Sequence, residues 1–278
     1  MIHVWGWNLS SPKMASQRSI PNLDRISALP DSVICHILSF LSTKQSAATS
    51  ILSKIWNPLW LSVPSLDFDE RNFTDFNTLR LFVYSVMLAR DPTLPIRSFR
   101  LKSRGISSGF NPHDVDRFIN AAMQRGIQNL NLDIGFFKLP TCVFSCINLT
   151  VLKLRALKIQ DLPDVNFPLL KTLHLDSIFF PPSGAQCHRC LKRLLSGCPI
   201  LEDLHATSLL LVGFPDEEFN GLHQLVRANI HSIPMAWVRN AKFLSTKLVW
   251  IPMAHHVKKK FGWFLLFFIF WYNNLVDF

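Results

Sequence analysis

The residues predict an α/β chain in two parts: a small three-helix module, then an irregular solenoid of about six strand-bearing repeats. Three observations carry this. Between Leu29 and Trp56, apolar residues recur at helical spacing in a stretch with no glycine and only one proline. From Ile96 onward, an apolar–x–x–apolar–x–apolar pattern recurs in six places, two of them degraded. The longer gaps between copies hold helical patterns with their own start and stop residues.

In the first part, Pro30 suits an opening helical turn, where its missing N–H is not needed, and Asp31 puts negative charge at the positive end of the helix dipole. Val33, Ile34, Ile37, Leu38 and Leu41 then fall on one helical face. Thr43 is expected to cap a second helix with Ala47, Ala48, Ile51, Leu52 and Ile55 on its apolar side. Asn57–Pro58 is expected to break that helix, and Leu59, Trp60 and Leu61 to form a packed turn or third helix. A unit of about 40 residues has little core to share. Apolar side chains among Leu29, Pro30, Ile34, Leu38, Leu52 and Trp56 are therefore expected to stay uncovered for a partner.

The stretch DRISALPDSVICHILSFLSTKQSAATSILSKIWNPLWLSVPSLDF (24–68) closely resembles the F-box of plant F-box/leucine-rich-repeat proteins. Leu29–Pro30 matches the family's opening and Ile37–Leu38–Ser39–Phe40–Leu41 its central motif. Leu52–Ser53–Lys54, Trp56 and Leu59–Trp60 match its closing motif. Ile55 departs from the pattern, standing where the family usually has a basic residue. The resemblance implies docking on the Skp-type adaptor of a Skp–cullin–F-box ubiquitin ligase, and through it on cullin and a RING subunit. It implies Leu29, Pro30, Ile34, Ile37, Leu38, Leu41, Leu52 and Trp56 as adaptor-binding residues.

The repeat copies are IRSFRL (96–101), IQNLNL (127–132), LTVLKL (149–154) and LKTLHL (170–175), followed by the degraded LEDLHA (201–206) and LHQLVR (222–227). Steps of 31, 22, 21, 31 and 21 residues each fit a strand and its return. In the first long step Asn111 caps a helix and Pro112 opens it; Val115, Phe118, Ile119, Ala122 and Met123 line its face, and Gly126 ends it. In the second, Leu191, Leu194 and Leu195 precede Gly197. This is the pattern of a leucine-rich-repeat solenoid, in which each coil buries its neighbour. The usual Asn or Cys at the ninth position is missing: Arg104, Gly135, Leu157, Ile178, Leu209 and Ile230 stand there, so an irregular arc is expected. A single two-layer domain on a parallel sheet is the structural alternative. A helix over Phe73–Arg90 is expected to cover the solenoid's open first edge. The organisation is then 1–20 disordered extension, 21–65 F-box, 66–95 linker and helical cap, 96–238 repeats and 239–278 an atypical basic and hydrophobic tail.

Strand alternation sends the residues between the core leucines to an open face. Arg100, Asn131, Lys153, Arg155, His174, Asp176 and His205 are the target-binding candidates on it. That face is polar, extended and mixed in charge, suited to a protein held by many modest contacts. Thr172, His174 and Asp176 share one strand face, but no oxyanion donors or base geometry accompany them, so no catalysis is expected from this chain. The expected function is a non-catalytic substrate receptor needing no cofactor, with an unidentified protein as target. The alternatives are a basic interaction protein acting on nucleic acid or a membrane surface outside any ligase, or a shortened family member with impaired target binding.

Nearly half of the 278 residues are hydrophobic and 17% are charged, which excludes a disordered chain. Of the net charge of +10, half lies in residues 239–278, with six basic residues against one acidic. Elsewhere the basic residues are scattered, so no nucleic-acid partner is expected. The six cysteines lack a disulfide spacing, which fits reduced thiols and a nuclear or cytoplasmic location. Cys187 and Cys190 have zinc-like spacing, with Cys198 close behind, but no second pair completes four ligands. Residues 1–13 read as an extension ahead of a natural start at Met14. The apolar run Phe261–Tyr272 has 12 residues, whereas a membrane span needs about 20. It is expected to be a truncated or misassigned terminus rather than an anchor, and no convincing FBD domain is found.

Overall fold

In a computed structural model of the chain, residues 26, 28–103, 111–160, 162–180, 184–209, 219–231 and 233–246 are described. The amino-terminal extension and most of the carboxy-terminal tail lie outside these residues. Helices α1 (Asp31–Leu38), α2 (Thr43–Ala48) and α3 (Trp56–Ser62) form the first part, with a 3-10 turn over Thr49–Ile51. Their shared core is small: Ile34, Leu38, Trp56 and Val63, with Leu41, Leu59 and Trp60 packed against it.

Local chemistry sets these boundaries, in places against the expectations above. Ser42, not Thr43, caps α2: its side chain accepts from the Gln45 N–H while the Gln45 side chain accepts from the Ser42 N–H. Pro58 does not break a helix but lies in the first turn of α3, where an amide N–H has no intrahelical partner to lose. The buried residues of α2 are Thr43 and Ser46, not its alanines. Ser46 Oγ donates to the Leu38 carbonyl at 3.0 Å, and Thr43 Oγ1 accepts from the Asp67 N–H at 2.8 Å. Two satisfied hydroxyls thus occupy the inward face and leave the apolar side chains that follow outside.

The second part is one parallel sheet in chain order, β1 to β8. Its strands are β1 (Ser65–Asp69), β2 (Ser98–Lys102), β3 (Asn129–Lys138), β4 (Val151–Lys158), β5 (Thr172–Phe179), β6 (Asp203–Thr207), β7 (Arg227–Ile230) and β8 (Phe243–Thr246). Helices α4 (Phe76–Ala89), α5 (Pro112–Met123) and α6 (Gly184–Ser196) fall in the longer returns. Leu130, Leu132, Leu152, Leu154, Leu173 and Leu175 belong to one continuous core together with Leu79, Ile119 and Leu194 of the three helices. Asn111 caps α5 by accepting from the His113 N–H at 3.0 Å, with Pro112 next, as its sequence signals specify.

Four expectations are corrected. The strands begin at Ser65, not near residue 96, because Val63, Leu66 and Phe68 already carry the apolar spacing. The segment given to a tail from residue 239 includes β8, which pairs with β7. The sixth copy is shifted by three residues: Leu225, Ala228 and Ile230 are its inward set, and the strand starts at Arg227. Nor does the Phe73–Arg90 segment cover the first edge. Its helix α4 lies in the return between β1 and β2 and buries Phe76, Leu79, Val83 and Val86 in the main core. The edge of β1 is met instead by α2, through the Thr43–Asp67 hydrogen bond.

The missing asparagine ladder has a structural counterpart. Ala156, Ser177 and Ser208 adopt φ of 50°, 56° and 54° just before the ninth position. Each left-handed residue breaks the two-residue alternation, so Leu157, Ile178 and Leu209 turn back into the core. Beyond α6, Gly197 sits where a Cβ would lie 2.6 Å from Val165 Cγ1 and 2.7 Å from the Val165 carbonyl oxygen. Backbone cannot give way as a side-chain tip can, so Gly197→Ala should lower stability by about 1–3 kcal/mol in urea unfolding. An unchanged midpoint would show that this contact relaxes freely.

Candidate functional site: an apolar patch and a polar sheet face

Two surfaces stand out, one on each part of the chain. On the helical part, Ile26, Leu29, Val33, Ile37, Phe40, Ile51, Leu52 and Ile55 are all exposed. Ile51 is 86% exposed, Phe40 77% and Leu52 69%, values at odds with a hydrophobic interior role. Clustered exposure of large apolar side chains in a chain with a well-filled core marks a contact surface.

Of the residues expected to meet an adaptor, Leu29, Pro30, Ile37 and Leu52 are exposed, and Leu41 is half-buried against the small core. Ile34, Leu38 and Trp56 are corrected: all three are interior, and they hold the module together rather than face a partner. Val33, Phe40 and Ile51 are exposed members that the expectation omitted. Cys35 is half-buried behind the patch; burial and then Asp31 push its thiol upward, and its Sγ donates to the Leu59 carbonyl at 3.6 Å.

The helical part is fastened to the sheet. Trp60 packs against both cores. Arg90, at the end of α4, donates to the carbonyls of Leu61, Val63 and Pro95. The residue is 2% exposed, and burial, with Arg125 nearby, pushes its guanidinium down to about 10. Lys44 of α2 donates to the Asn72 carbonyl and lies 4.6 Å over the Phe73 ring.

On the sheet, strand register aligns the outward residues into rows. The middle row runs Asp67, Arg100, Asn131, Lys153, His174, His205 and Asn229. The next runs Asp69, Lys102, Asp133, Arg155, Asp176 and Thr207. All seven target-binding candidates therefore lie in two adjacent rows, partly or fully exposed. Most charges are matched within the face: Arg100 with Asp67 at 3.0 Å, Lys102 with Asp133 at 3.8 Å, Arg155 with Asp176 at 3.2 Å and Arg227 with Asp203 at 3.1 Å. Asp176 is turned toward Arg155 and Thr207, not toward His174.

Among the described residues, no three His, Cys, Asp or Glu side chains converge as metal ligands, and no helix is long and apolar enough to cross a membrane. Cys187 and Cys190 lie one turn apart on α6, Cys187 buried. Cys198 is buried beyond it and donates to the Leu194 carbonyl at 3.2 Å; burial alone pushes its thiol up to about 12.

Residues 26–68 match the family model described as the F-box domain, and residues 115–223 match that of the LRR repeats of FBD-associated F-box protein At5g56370. Among similar proteins is F-box/LRR-repeat protein At4g14096 of Arabidopsis thaliana, 40% identical over 190 residues, covering 65% of this chain and 39% of that protein. F-box/LRR-repeat protein At4g14103 of the same plant is 40% identical over 192 residues, covering 65% of this chain and 49% of that one. FBD-associated F-box protein At1g66310, also from Arabidopsis thaliana, is 28% identical over 280 residues, covering 90% and 61%. The chain thus spans under half the length of the first two. No solved structure matches it. An F-box match thus lies at the helices carrying the apolar patch and a repeat match across the sheet, and the chain is similar to F-box/LRR-repeat proteins of Arabidopsis thaliana.

Proposed function

We propose that this chain is a substrate-receptor subunit of a Skp–cullin–F-box ubiquitin ligase, working in the nucleus, the cytoplasm or both. The observation that carries the reading is the exposed apolar patch around Ile51, Leu52, Phe40 and Ile37 on the part that matches the F-box domain. Burying such a patch removes apolar surface from water at about 25 cal/mol per Å², enough to drive association with a complementary adaptor groove. The adaptor would connect the chain to cullin and a RING subunit. The polar sheet face would hold a target protein, and the contribution to ubiquitin transfer is proximity, which raises the effective concentration of the reacting groups. The chain itself performs no covalent step.

The direct experiment mixes the purified chain with a plant Skp-type adaptor and follows complex formation by size-exclusion chromatography. A stable one-to-one complex is expected. Two separate peaks at micromolar concentrations of both proteins would overturn the receptor reading.

A further inference from the structure

The ion pairs of the sheet face leave Lys153 out. Asp67, Asp133, Asp176 and Asp203 each pair with a cation on the face, and Asp69 pairs with Arg71 beside it. Among the described residues, no carboxylate lies within ion-pair distance of Lys153, in the centre of the middle row. Lys153 pairs in register with Asn131 on one side and His174 on the other. The His174 and His205 rings lie 5.2 Å apart, so a cation and two imidazoles stand consecutively on β4, β5 and β6.

The hydrogen bonds orient the second imidazole. Thr207 Oγ1 donates its only proton to Asp176 Oδ1 at 3.1 Å. At its 3.2 Å contact with His205 Nε2 it can therefore only accept. Nε2 then carries the proton of the neutral His205 ring, and Nδ1 is its acceptor nitrogen. His174 is held below the ordinary histidine range, by burial first, then by Lys153 and His205, with Asp203 pulling the other way. Near neutral pH the unliganded His174 is thus uncharged. Arg155 and Asp176, which flank it in the next row, are occupied with each other.

We propose that Lys153, His174 and His205 form the acceptor point for a carboxylate-bearing segment of the target protein, which lies across the strands of the sheet. The proposal rests on the receptor reading and supplies the chemistry of its target surface. Charge complementarity selects the occupant: the trio offers a cation with no carboxylate in ion-pair reach among the described residues, beside two imidazoles able to donate to a carboxylate. Asn131 and Asn229 flank the trio with amides able to bond either backbone or side chain. An incoming carboxylate opposes the burial and like-charge effects on His174, so binding takes up a proton. Affinity must then rise as pH falls through and below the usual histidine range.

The test uses the whole chain and fluorescein-labelled hexaglutamate, hexaglutamine and hexalysine peptides, read by fluorescence anisotropy. Hexaglutamate is expected to bind best, several-fold tighter at pH 6.0 than at pH 7.5. Lys153→Ala should weaken it about tenfold, the order of one charge-assisted contact, while Lys153→Arg keeps most of the affinity. His174→Gln with His205→Gln should flatten the pH dependence. Arg189→Ala removes an exposed cation of α6 and controls for general attraction to a basic chain. Equal losses for Lys153→Ala and Arg189→Ala, or no preference for hexaglutamate, would overturn the proposal. Adaptor capture by the same preparations reports on the receptor reading separately, so the two can fail independently.

Discussion

Replacing Ile51 and Leu52 together by aspartate should reduce adaptor binding by about 100-fold or more while leaving the thermal midpoint nearly unchanged. Both side chains are largely in water, so the substitution removes little from the fold and adds two charges where an apolar partner would seat. Central apolar contacts of an interface cost about 2 kcal/mol or more each when lost, and two such losses multiply. Trp56→Ala makes the contrasting case. Trp56 is one of the four buried residues of the small helical core, so its truncation should cost about 3–5 kcal/mol and weaken adaptor binding by unfolding the module. Titration calorimetry with the purified adaptor and differential scanning fluorimetry separate the two effects. If the double aspartate variant bound as well as the parent chain, docking would have to use another surface altogether.

The same contrast shows how far residues alone could specify the site. Periodicity identified α1, and α5 with its Asn111 cap, because the signals for each lie within a few residues of one another. It misassigned the second helix because Thr43 and Ser46 turn inward for partners set by the fold: the Leu38 carbonyl and an amide of β1. With those hydroxyls inside, Ile51 and Leu52 are out, the reverse of what hydrophobicity alone suggests. In the repeats, leucine spacing revealed β2 to β6, but Leu222 and Leu225 offered two registers, and only packing chooses the one ending in Ala228 and Ile230. The first copy, Val63, Leu66 and Phe68, was hidden by its overlap with the helical module. Alternation placed Lys153 and His174 on the open face. That Lys153 stands between Asn131 and His174, with no carboxylate in ion-pair reach among the described residues, depends on which residue of each strand stands beside which, and no one-dimensional pattern contains that.

Arg90→Met should lower stability by about 2–4 kcal/mol, a fall of about 5–15 °C in the thermal midpoint for a chain of this size. Arg90 is a buried cation without a carboxylate partner; the carbonyls of Leu61, Val63 and Pro95 take its protons instead. Methionine fills a similar volume and avoids the cost of burying charge, but it takes the donor away from the buried Val63 carbonyl and from the more accessible Leu61 and Pro95 carbonyls. Those carbonyls lie on the segments that join α3 to β1 and lead into β2, so the loss falls at the junction of the two cores. Trp60, the Lys44–Asn72 contact and the Thr43–Asp67 hydrogen bond would then carry more of that junction. The helical part, with its four-residue core, should separate as its own unfolding unit ahead of the sheet, and hydrogen exchange should speed up first around residues 61–66. Arg90→Lys keeps the charge but cannot reach three acceptors at once, and it should fall between the parent and methionine. A single transition at the parent's midpoint in Arg90→Met would show that the two parts are held together by apolar packing. A receptor must hold a target at a fixed distance from the ligase core, so a loosened junction should slow ubiquitin transfer even where adaptor and target still bind.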